Sequence, residues 1–511
     1  MHTEPKQHKT VFALVIFSVV FYCAYFAVYT CIRHYKFATT VFDLGVYNQV
    51  FWSIVHTGKF LSTLDTGVSG TFVAHNLLST HFSLIYYLLA PVYWFYQKPE
   101  TLLVLQSFLL GLPGLLIYFL ARQKTKNEFL ALAFCLSYLL YVPLHNINLF
   151  DFHEVACAPF LILSTLYCLE NKKYQWFCLF FLLSLFIKED VALSGIGIGI
   201  YILLIKRQRW FGIVVALFSI AYFVATIKFF MPFFGSPADF SSRYSQLILP
   251  GHHGYAAILY TMVTKPIYVL KAIFWNKDKI LYWFKIFTPL LWLPLCNNIG
   301  TIILILPSFL VNLLSNYQPQ YDIHDQYTGI LIPFLYFTAI LSTQRIYKTK
   351  IKKLLAILLI VVGIIPLGRQ LMMLIDNHGQ KFIISPHDRV VRDIINEVPK
   401  DASVSSVNYH GAHFSSRSVA YMLPKGIGYV DYIMLDLKHI GGNVNTYFMV
   451  PTDKKQSLQV LYTAFKNNYG VVDFQDGCVL LKYNYSTKRN VDVLNFVKQG
   501  CDKVCSNQKK Q

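Results

Sequence analysis

Charged residues are scarce in this sequence of 511 residues. They make up 14% of the chain, and 55% of the residues are hydrophobic, whereas soluble domains carry roughly 25% charged residues. Acidic residues are the scarcer kind, with 26 Asp and Glu against 45 Lys and Arg. This composition excludes an ordinary soluble protein and predicts a polytopic membrane protein.

Several common catalytic motifs are missing as well. The sequence has no glycine-rich phosphate loop, no HExxH motif and no GxSxG motif, and it shows no internal repeat. The ten cysteines lie mostly in apolar runs, where Cys acts as a small hydrophobic residue. Cys501 and Cys505 form a close pair, but their spacing does not establish a disulfide.

The net charge of +19 comes from clusters of Lys and Arg between apolar runs. Cytoplasmic loops of membrane proteins carry such an excess, so we expect no nucleic-acid partner. Placing every cluster inside the cell predicts a cytoplasmic N-terminus, 1–10, and a transmembrane region, 11–375. It gives about eleven spans, namely 11–31, 101–121, 128–147, 155–170, 174–187, 191–205, 211–231, 282–296, 299–315, 327–343 and 353–369.

Two apolar stretches, 82–96 and 255–275, do not fit this alternation as spans. We expect them to be interfacial helices at the outer face, within large external loops 32–100 and 232–281. From about residue 380, short β-like runs appear, one of them built around the hairpin dipeptide Asp476-Gly477. The predicted fold is an all-α polytopic membrane protein with a small extracytoplasmic α/β domain, 380–511. The predicted location of the protein is the bacterial cell membrane.

Under this topology the acids and histidines of the membrane region gather at the outer face. Loops are polar in any protein, but five of them bring such residues to one face, which favours a functional site there. The candidates are Asp43, His75, His81, Asp151, Glu154, Arg243, Tyr244 and His324. His75 and His81 are six residues apart, which does not place two metal ligands on one helix face. A divalent metal held by several loops is the alternative that the sequence leaves open.

The stretch "FLLSLFIKEDVALSGIGIGIYILL" places three charges, Lys188, Glu189 and Asp190, after a short apolar arm. About 14 apolar residues are too few to cross a bilayer core of roughly 30 Å. These charges are therefore expected at the tip of a hairpin that lines a cavity. The alternative is a tilted helix whose charges reach the membrane surface.

The chain resembles a family of predicted prokaryotic membrane proteins, domain of unknown function twenty seventy-nine. The matching stretches run in order along nearly the whole chain: "FDLGVYNQVFW", "HFSLIYYLLAPVY", "LLVLQ", "FDFHE", "IKEDVAL", "RYSQL", "QYTGILIPFL", "SSRSVAYMLP" and "DYIMLDL". More distantly, the layout is similar to the GT-C superfamily of membrane glycosyltransferases. That resemblance implies transfer of a hexose or pentose from a polyprenyl-phosphate donor to a lipid, glycan or protein acceptor, with inversion.

The GT-C resemblance also implies roles for particular residues. Asp43, in the first external loop, takes the position of the catalytic base, and Asp151, with Glu154 beside it, that of a second acid. "IKEDVAL" stands where many members have a Lys-Gly pair facing the donor phosphate, with acids in place of the glycine. Arg243 is the first candidate for the phosphate and Lys188 the second, and we expect Glu189, Asp190, Tyr244 and the histidines to bind substrate.

Two other functions and one other role for Asp43 remain as alternatives. A transporter also carries charge inside the membrane, but transporters usually show inverted repeats. A non-enzymatic assembly or scaffold protein of the cell envelope would leave the polar loops as mere surface. Asp43 itself could cap the helix predicted after it, where Tyr47, Phe51 and Trp52 recur at helical spacing.

Overall fold

A computed structural model describes residues 5–67, 72–236, 240–346, 351, 354–365, 383–438 and 454–497. The chain divides into two compact units. Unit 1 comprises 1–30, 78–88 and 103–379, and unit 2 comprises 31–77, 89–102 and 380–511. Large parts of the predicted external loop 32–100 therefore fold together with the C-terminal segment.

Helices dominate the chain up to residue 365. They are α1 (Pro5–Tyr35), α2 (Val46–Thr57), α3 (Ile85–Phe95), α4 (Pro99–Gly111), α5 (Pro113–Thr125), α6 (Glu128–Leu139), α7 (Val142–Leu149), α8 (Ala158–Glu170), α9 (Tyr174–Leu185), α10 (Val191–Leu204), α11 (Arg209–Ala225), α12 (Met231–Phe234), α13 (Gly254–Thr264), α14 (Pro266–Phe274), α15 (Lys277–Phe287), α16 (Ile299–Ile302), α17 (Leu306–Leu313), α18 (Ile332–Ile346) and α19 (Leu354–Ile365).

Among the described residues, three helical stretches are long and apolar enough to cross a membrane: His8–Tyr35, Pro99–Thr125 and Arg209–Phe234. The number rises to five if each of two bent pairs counts as one span. The pair α6 and α7 bends by 40°, and the pair α13 and α14 bends by 100°. Apolar spans are thus present, but the predicted number of eleven is not confirmed.

Part of the predicted topology falls on residues that the structure does not describe. The basic residues Lys348, Lys350, Lys352 and Lys353 and the end of the predicted span 353–369 lie outside the described residues. The pair Cys501 and Cys505 lies outside them as well.

Glycines let α10 and α11 approach each other closely. A Cβ atom on Gly199 would lie 2.6 Å from the backbone nitrogen of Ala216, and one on Gly212 would lie 2.6 Å from that of Leu203. Membrane helices often use small residues in this way to bring their backbones together. The glycines of "SGIGIGI" therefore fix α10 against its neighbour, directly after the charged turn at its N-terminus.

Unit 2 contains a five-stranded sheet in the order β4-β3-β5-β7-β6. Its two parallel pairings join β3 to β4 and β5, while β7 pairs antiparallel with β5 and β6. The described elements are β1 (Leu61–Ser62), β2 (His75–Asn76), α20 (Pro386–Glu397), β3 (Val404–Ser406), α21 (Asn408–Gly411), β4 (Ala420–Met422), β5 (Tyr432–Asp436), α22 (Lys454–Lys466), β6 (Tyr469–Gln475) and β7 (Cys478–Tyr483).

The sheet buries apolar residues on both faces, because successive side chains of a strand point to opposite sides. Ile433 packs in a cluster with Leu461 of α22, and Met434 in another with Ile394 of α20. The β6–β7 turn is Asp476-Gly477, and both residues have positive φ, as a type I′ hairpin turn requires. The structure confirms the predicted C-terminal sheet and this hairpin.

Candidate functional site

The charged turn between α9 and α10 is buried in unit 1. Helix α9 has 12 residues and is therefore about 18 Å long, which is short of the roughly 30 Å of a bilayer core. Lys188 and Glu189 are 9% and 6% exposed. A snorkelling side chain keeps its charged end in water, so the alternative of a tilted helix with surface charges is wrong for these two residues.

An ion pair and a hydrogen bond at this turn join distant parts of the sequence. Lys188 Nζ lies 3.8 Å from Glu154 Oε1, and His81 Nδ1 lies 3.2 Å from Glu189 Oε1. Tyr86 donates a 2.8 Å hydrogen bond to Glu154 Oε2. The candidates His81, Glu154, Lys188 and Glu189 are thus brought together, and we call these four residues the charged cluster.

The loop that carries Asp151 and Glu154 is held by Gln106 of α4. Gln106 accepts a 3.0 Å hydrogen bond from the backbone N–H of His153 and donates to the backbone oxygens of Ile147 and Phe150. Asp151 is buried, 5% exposed. Gln106 was missed as a site residue, although a polar residue within the apolar stretch "LLVLQ" was the signal that could have revealed it.

Arg243 lies on an aromatic platform beside the charged cluster. Its guanidinium is 4.7 Å from the ring centres of Phe240 and Tyr317 and 5.7 Å from that of Tyr327. Phe240 also stacks on His81, with ring centres 5.0 Å apart. Phe240 therefore lies against both Arg243 and the histidine that pairs with Glu189.

Tyr244 holds the next segment of chain in place. Its hydroxyl donates to the backbone oxygen of Val311 at 3.1 Å and accepts from Gln320 Nε2 at 3.0 Å. Gln320 lines a small cavity with Lys188 and Asp190. The volume of this cavity is about 20 Å³, which is enough for about one water molecule. Polar side chains from the charged turn and from the segment 308–330 thus meet around it.

Comparison of the sequence with models of protein families shows to which family the chain belongs. The model of the DUF2079 family, described as a predicted membrane protein, matches residues 33–480. The chain belongs to the DUF2079 family. No curated protein matches its sequence. The match includes the charged cluster, Arg243 and most of the C-terminal sheet. Together with the apolar helices it identifies a membrane protein.

Asp43 of this DUF2079 protein belongs to unit 2. It is half-buried in a single π-helical turn, Val41–Gly45, and Gly45 rather than Asp43 directly precedes α2. The predicted helix after it is present, and its residues Tyr47 and Phe51 are buried in unit 2. The role of Asp43 as a base stays a prediction from its sequence position.

Gln49 of α2 links the segment that follows α1 to the C-terminal segment. Its Oε1 atom accepts hydrogen bonds from Ser62 Oγ at 2.8 Å and from the backbone N–H groups of Thr63 and Leu64 at 2.9 and 3.1 Å. Its Nε2 atom donates to the backbone oxygen of Arg417 at 3.0 Å. The family stretches "FDLGVYNQVFW" and "SSRSVAYMLP" therefore meet inside one unit.

Two of the predicted substrate-binding histidines pair with nearby acids. His75 Nδ1 lies 2.6 Å from Asp65 Oδ2 in unit 2, and His324 Nδ1 lies 3.0 Å from Asp322 Oδ1 in unit 1. The side chain of His324 is 69% exposed. Among the described residues, no group of three His, Cys, Asp or Glu side chains is arranged to hold a metal ion.

A second group of charges in unit 2 fastens α20 to the sheet. His387 bonds to Asp436 Oδ2 at 3.0 Å through Nε2 and to Asp476 Oδ2 at 2.8 Å through Nδ1. Hydrogen bonds from Lys438 and His387 lower the pKa of the Asp476 carboxyl. These contacts tie the helix N-terminus to the end of β5 and to the β6–β7 turn, which is a structural role.

Proposed function

We propose that this DUF2079 protein is an integral membrane glycosyltransferase of the GT-C kind, which moves a sugar from a polyprenyl-phosphate donor to an acceptor at the outer face of the membrane. The observation that carries the proposal is the charged cluster. Ionisable side chains buried among apolar membrane helices are costly, and they mark functional sites. The cluster brings together three of the family stretches, "HFSLIYYLLAPVY", "FDFHE" and "IKEDVAL". The type of reaction that we propose follows from the resemblance of the sequence to the GT-C superfamily.

The cluster and its neighbours suit different parts of the reaction. Lys188 is already paired with Glu154, so Arg243 remains the better candidate for the leaving phosphate, because its planar fork matches two phosphate oxygens. One oxygen of Glu154 accepts the hydrogen bond of Tyr86 and the other pairs with Lys188. Glu154 is therefore better suited to positioning Lys188 than to accepting a proton.

The proposed chemistry is a single inverting displacement. The acceptor hydroxyl forms a bond to the anomeric carbon, the bond from that carbon to the phosphate oxygen breaks, and the electron pair leaves with the lipid phosphate. The hydroxyl proton passes to a carboxylate base, for which Asp43 is the candidate and Asp151 the second. The proposed orientation places the N-terminus inside and the segment 380–511 outside.

A transfer assay tests the proposal. The full chain in lipid nanodiscs is given undecaprenyl phosphates that carry radiolabelled hexoses or pentoses, together with a membrane-lipid and glycan extract, and release of undecaprenyl phosphate is measured. We expect release from at least one donor, a loss of about 10²–10⁴-fold in Asp43→Asn because a general base is removed, and a strong loss in Arg243→Lys. Asp278→Asn and Arg345→Lys, at exposed positions, are the matched controls and should retain full activity. Release from none of the donors, or full activity of Asp43→Asn and Arg243→Lys, would contradict the proposal.

Transport of a lipid-linked sugar is the second candidate, and the bent helix pairs favour it. Transporters form their binding sites with discontinuous helices, and α13 and α14 meet at a 100° bend. Proteoliposomes loaded with labelled undecaprenyl-phosphate sugar separate the two functions. Movement of the label between leaflets without transfer to an acceptor would identify a transporter.

A further inference from the structure

The small cavity beside Lys188 is lined by buried polar side chains. Asp190, Gln320, Gln326 and Tyr327 lie on its wall together with Lys188. Among the described residues, the buried oxygens Asp190 Oδ1, Gln320 Oε1 and Gln326 Oε1 receive no hydrogen bond, and the buried hydroxyl of Ser194, which also lines the cavity, has no hydrogen-bond partner either. Buried polar atoms without partners are rare and costly in proteins.

The orientation of Gln320 is fixed by its own hydrogen bonds. Its amide nitrogen donates to Tyr244 Oη at 3.0 Å and to the backbone oxygen of Val311 at 3.3 Å, so its other amide atom is the acceptor. The residue is 5% exposed. An acceptor that is both buried and fixed in this way indicates a ligand that donates a hydrogen bond.

The charge and size of the cavity restrict that ligand. A phosphate group could contact the Lys188 ammonium, but it supplies acceptors rather than donors, so it would leave the three oxygens without a hydrogen bond and would meet the Asp190 carboxylate. A metal ion would meet the Lys188 ammonium, and no group of three metal-binding side chains is present among the described residues. A neutral hydroxyl group donates a hydrogen bond, and at about 20 Å³ the cavity has the size of one such group.

We propose that this cavity is a subsite for one hydroxyl group of a neutral hexose or pentose, which donates to Asp190, Gln320 or Gln326. This inference rests on the proposed function and deepens it, since it names the chemical class of the ligand and the residues that bind it. Arg243 and the cavity then have separate tasks, the guanidinium for the phosphate and the acceptor oxygens for the sugar.

Monodeoxy sugars test the subsite directly. Binding of methyl hexosides and methyl pentosides to the full chain in nanodiscs is measured by saturation-transfer NMR, with each hydroxyl removed in turn. We expect one deoxy position to weaken binding by about tenfold or more, because the acceptors lose their donor. In Gln326→Met and Asp190→Asn, binding of the parent glycoside should weaken to the level that the deoxy analogue shows with the natural chain. Both substitutions should have little further effect on binding of that deoxy analogue.

Gln318→Met is the matched control, since Gln318 is exposed and donates to Asp322 instead. Equal binding of every deoxy analogue, equal binding by the cavity variants and the control, or no binding of any methyl glycoside would overturn the subsite. Displacement of the glycoside by inorganic phosphate would overturn it in favour of an anion site.

The transfer assay keeps the two proposals distinguishable. The expected binding pattern without any sugar transfer would leave the subsite standing and contradict the proposed transferase. Transfer that Gln326→Met and Asp190→Asn leave unchanged would contradict the subsite and leave the transferase standing.

Discussion

At the residue scale, the three carboxylates around the charged turn differ in what holds them. Glu154 accepts from Tyr86 and pairs with Lys188. Glu189 pairs with His81 and also accepts a 3.1 Å hydrogen bond from the backbone N–H of Phe82. Asp190 has one buried oxygen that receives no hydrogen bond from any described residue. Two of the acids therefore hold parts of the structure together, and the third carries the acceptor that we assign to the sugar hydroxyl.

Substitution of Glu189 separates its structural contacts from its charge. Glu189→Gln keeps an oxygen for Phe82 and should fold with a melting temperature close to that of the natural chain, but it loses the charge that pairs with His81 and should lose activity. Glu189→Leu leaves the buried Phe82 N–H without an acceptor and should be destabilised by about 1–3 kcal/mol. Thermal unfolding in detergent and the transfer assay measure both effects.

Asp278→Asn, at an exposed position in the first turn of α15, is the matched control for Glu189. A Glu189→Leu protein as stable as Glu189→Gln would show that the Phe82 hydrogen bond contributes nothing measurable. Full activity of Glu189→Gln would remove this acid from the site.

At the element scale, the glycines between α10 and α11 set the position of the charged turn. The helix that begins one residue after Asp190 is fixed by backbone contacts that allow no side chain at Gly199 or Gly212. The two helices therefore cannot separate without moving the turn. The close contact between α10 and α11 thus affects both the stability of this helix pair and the geometry of the site.

Gly199→Ala tests that link. The added Cβ would meet the Ala216 nitrogen at 2.6 Å, and overpacking of this kind costs about 1–3 kcal/mol, so we expect a lower melting temperature and reduced activity. Gly363→Ala is the control, because its Cβ would first meet Leu140 at an ordinary 3.4 Å and Ala favours a helix over Gly. Equal melting temperatures for the two variants would mean that α10 and α11 have room to separate.

At the scale of the whole molecule, the orientation in the membrane decides on which side the site acts. Single cysteines at Ser245 and Ser418, both exposed, should react with a membrane-impermeant maleimide in intact cells, because both lie in segments predicted outside. A cysteine at the exposed Lys172, in a basic loop predicted inside, should react only after permeabilisation.

The background chain for this experiment needs serine at the exposed Cys178 and Cys296 and at Cys501 and Cys505. Labelling of Lys172→Cys but not of Ser418→Cys in intact cells would reverse the orientation and move the site to the cytoplasmic side.

Local pattern in the sequence determined the membrane class, the helical nature of the long apolar runs and the C-terminal hairpin. Apolar length and turn dipeptides act within a few residues, so they can be read without a fold. Local pattern also singled out Lys188, Glu189, Glu154 and Arg243 as candidates. It could not determine the number of spans, because helix bends such as that between α13 and α14 depend on what each helix packs against.

Only the tertiary structure decided which candidates meet. His81 and Glu189 are 108 residues apart in sequence, and Gln49 and Arg417 are 368 apart. Nothing local links such residues, since the contact exists only after the intervening helices have packed. The tertiary structure also separated Glu154 and Glu189, which hold a neighbour, from Asp190, which has an oxygen that no donor among the described residues reaches. Packing, and not residue type, sets these hydrogen-bond partners.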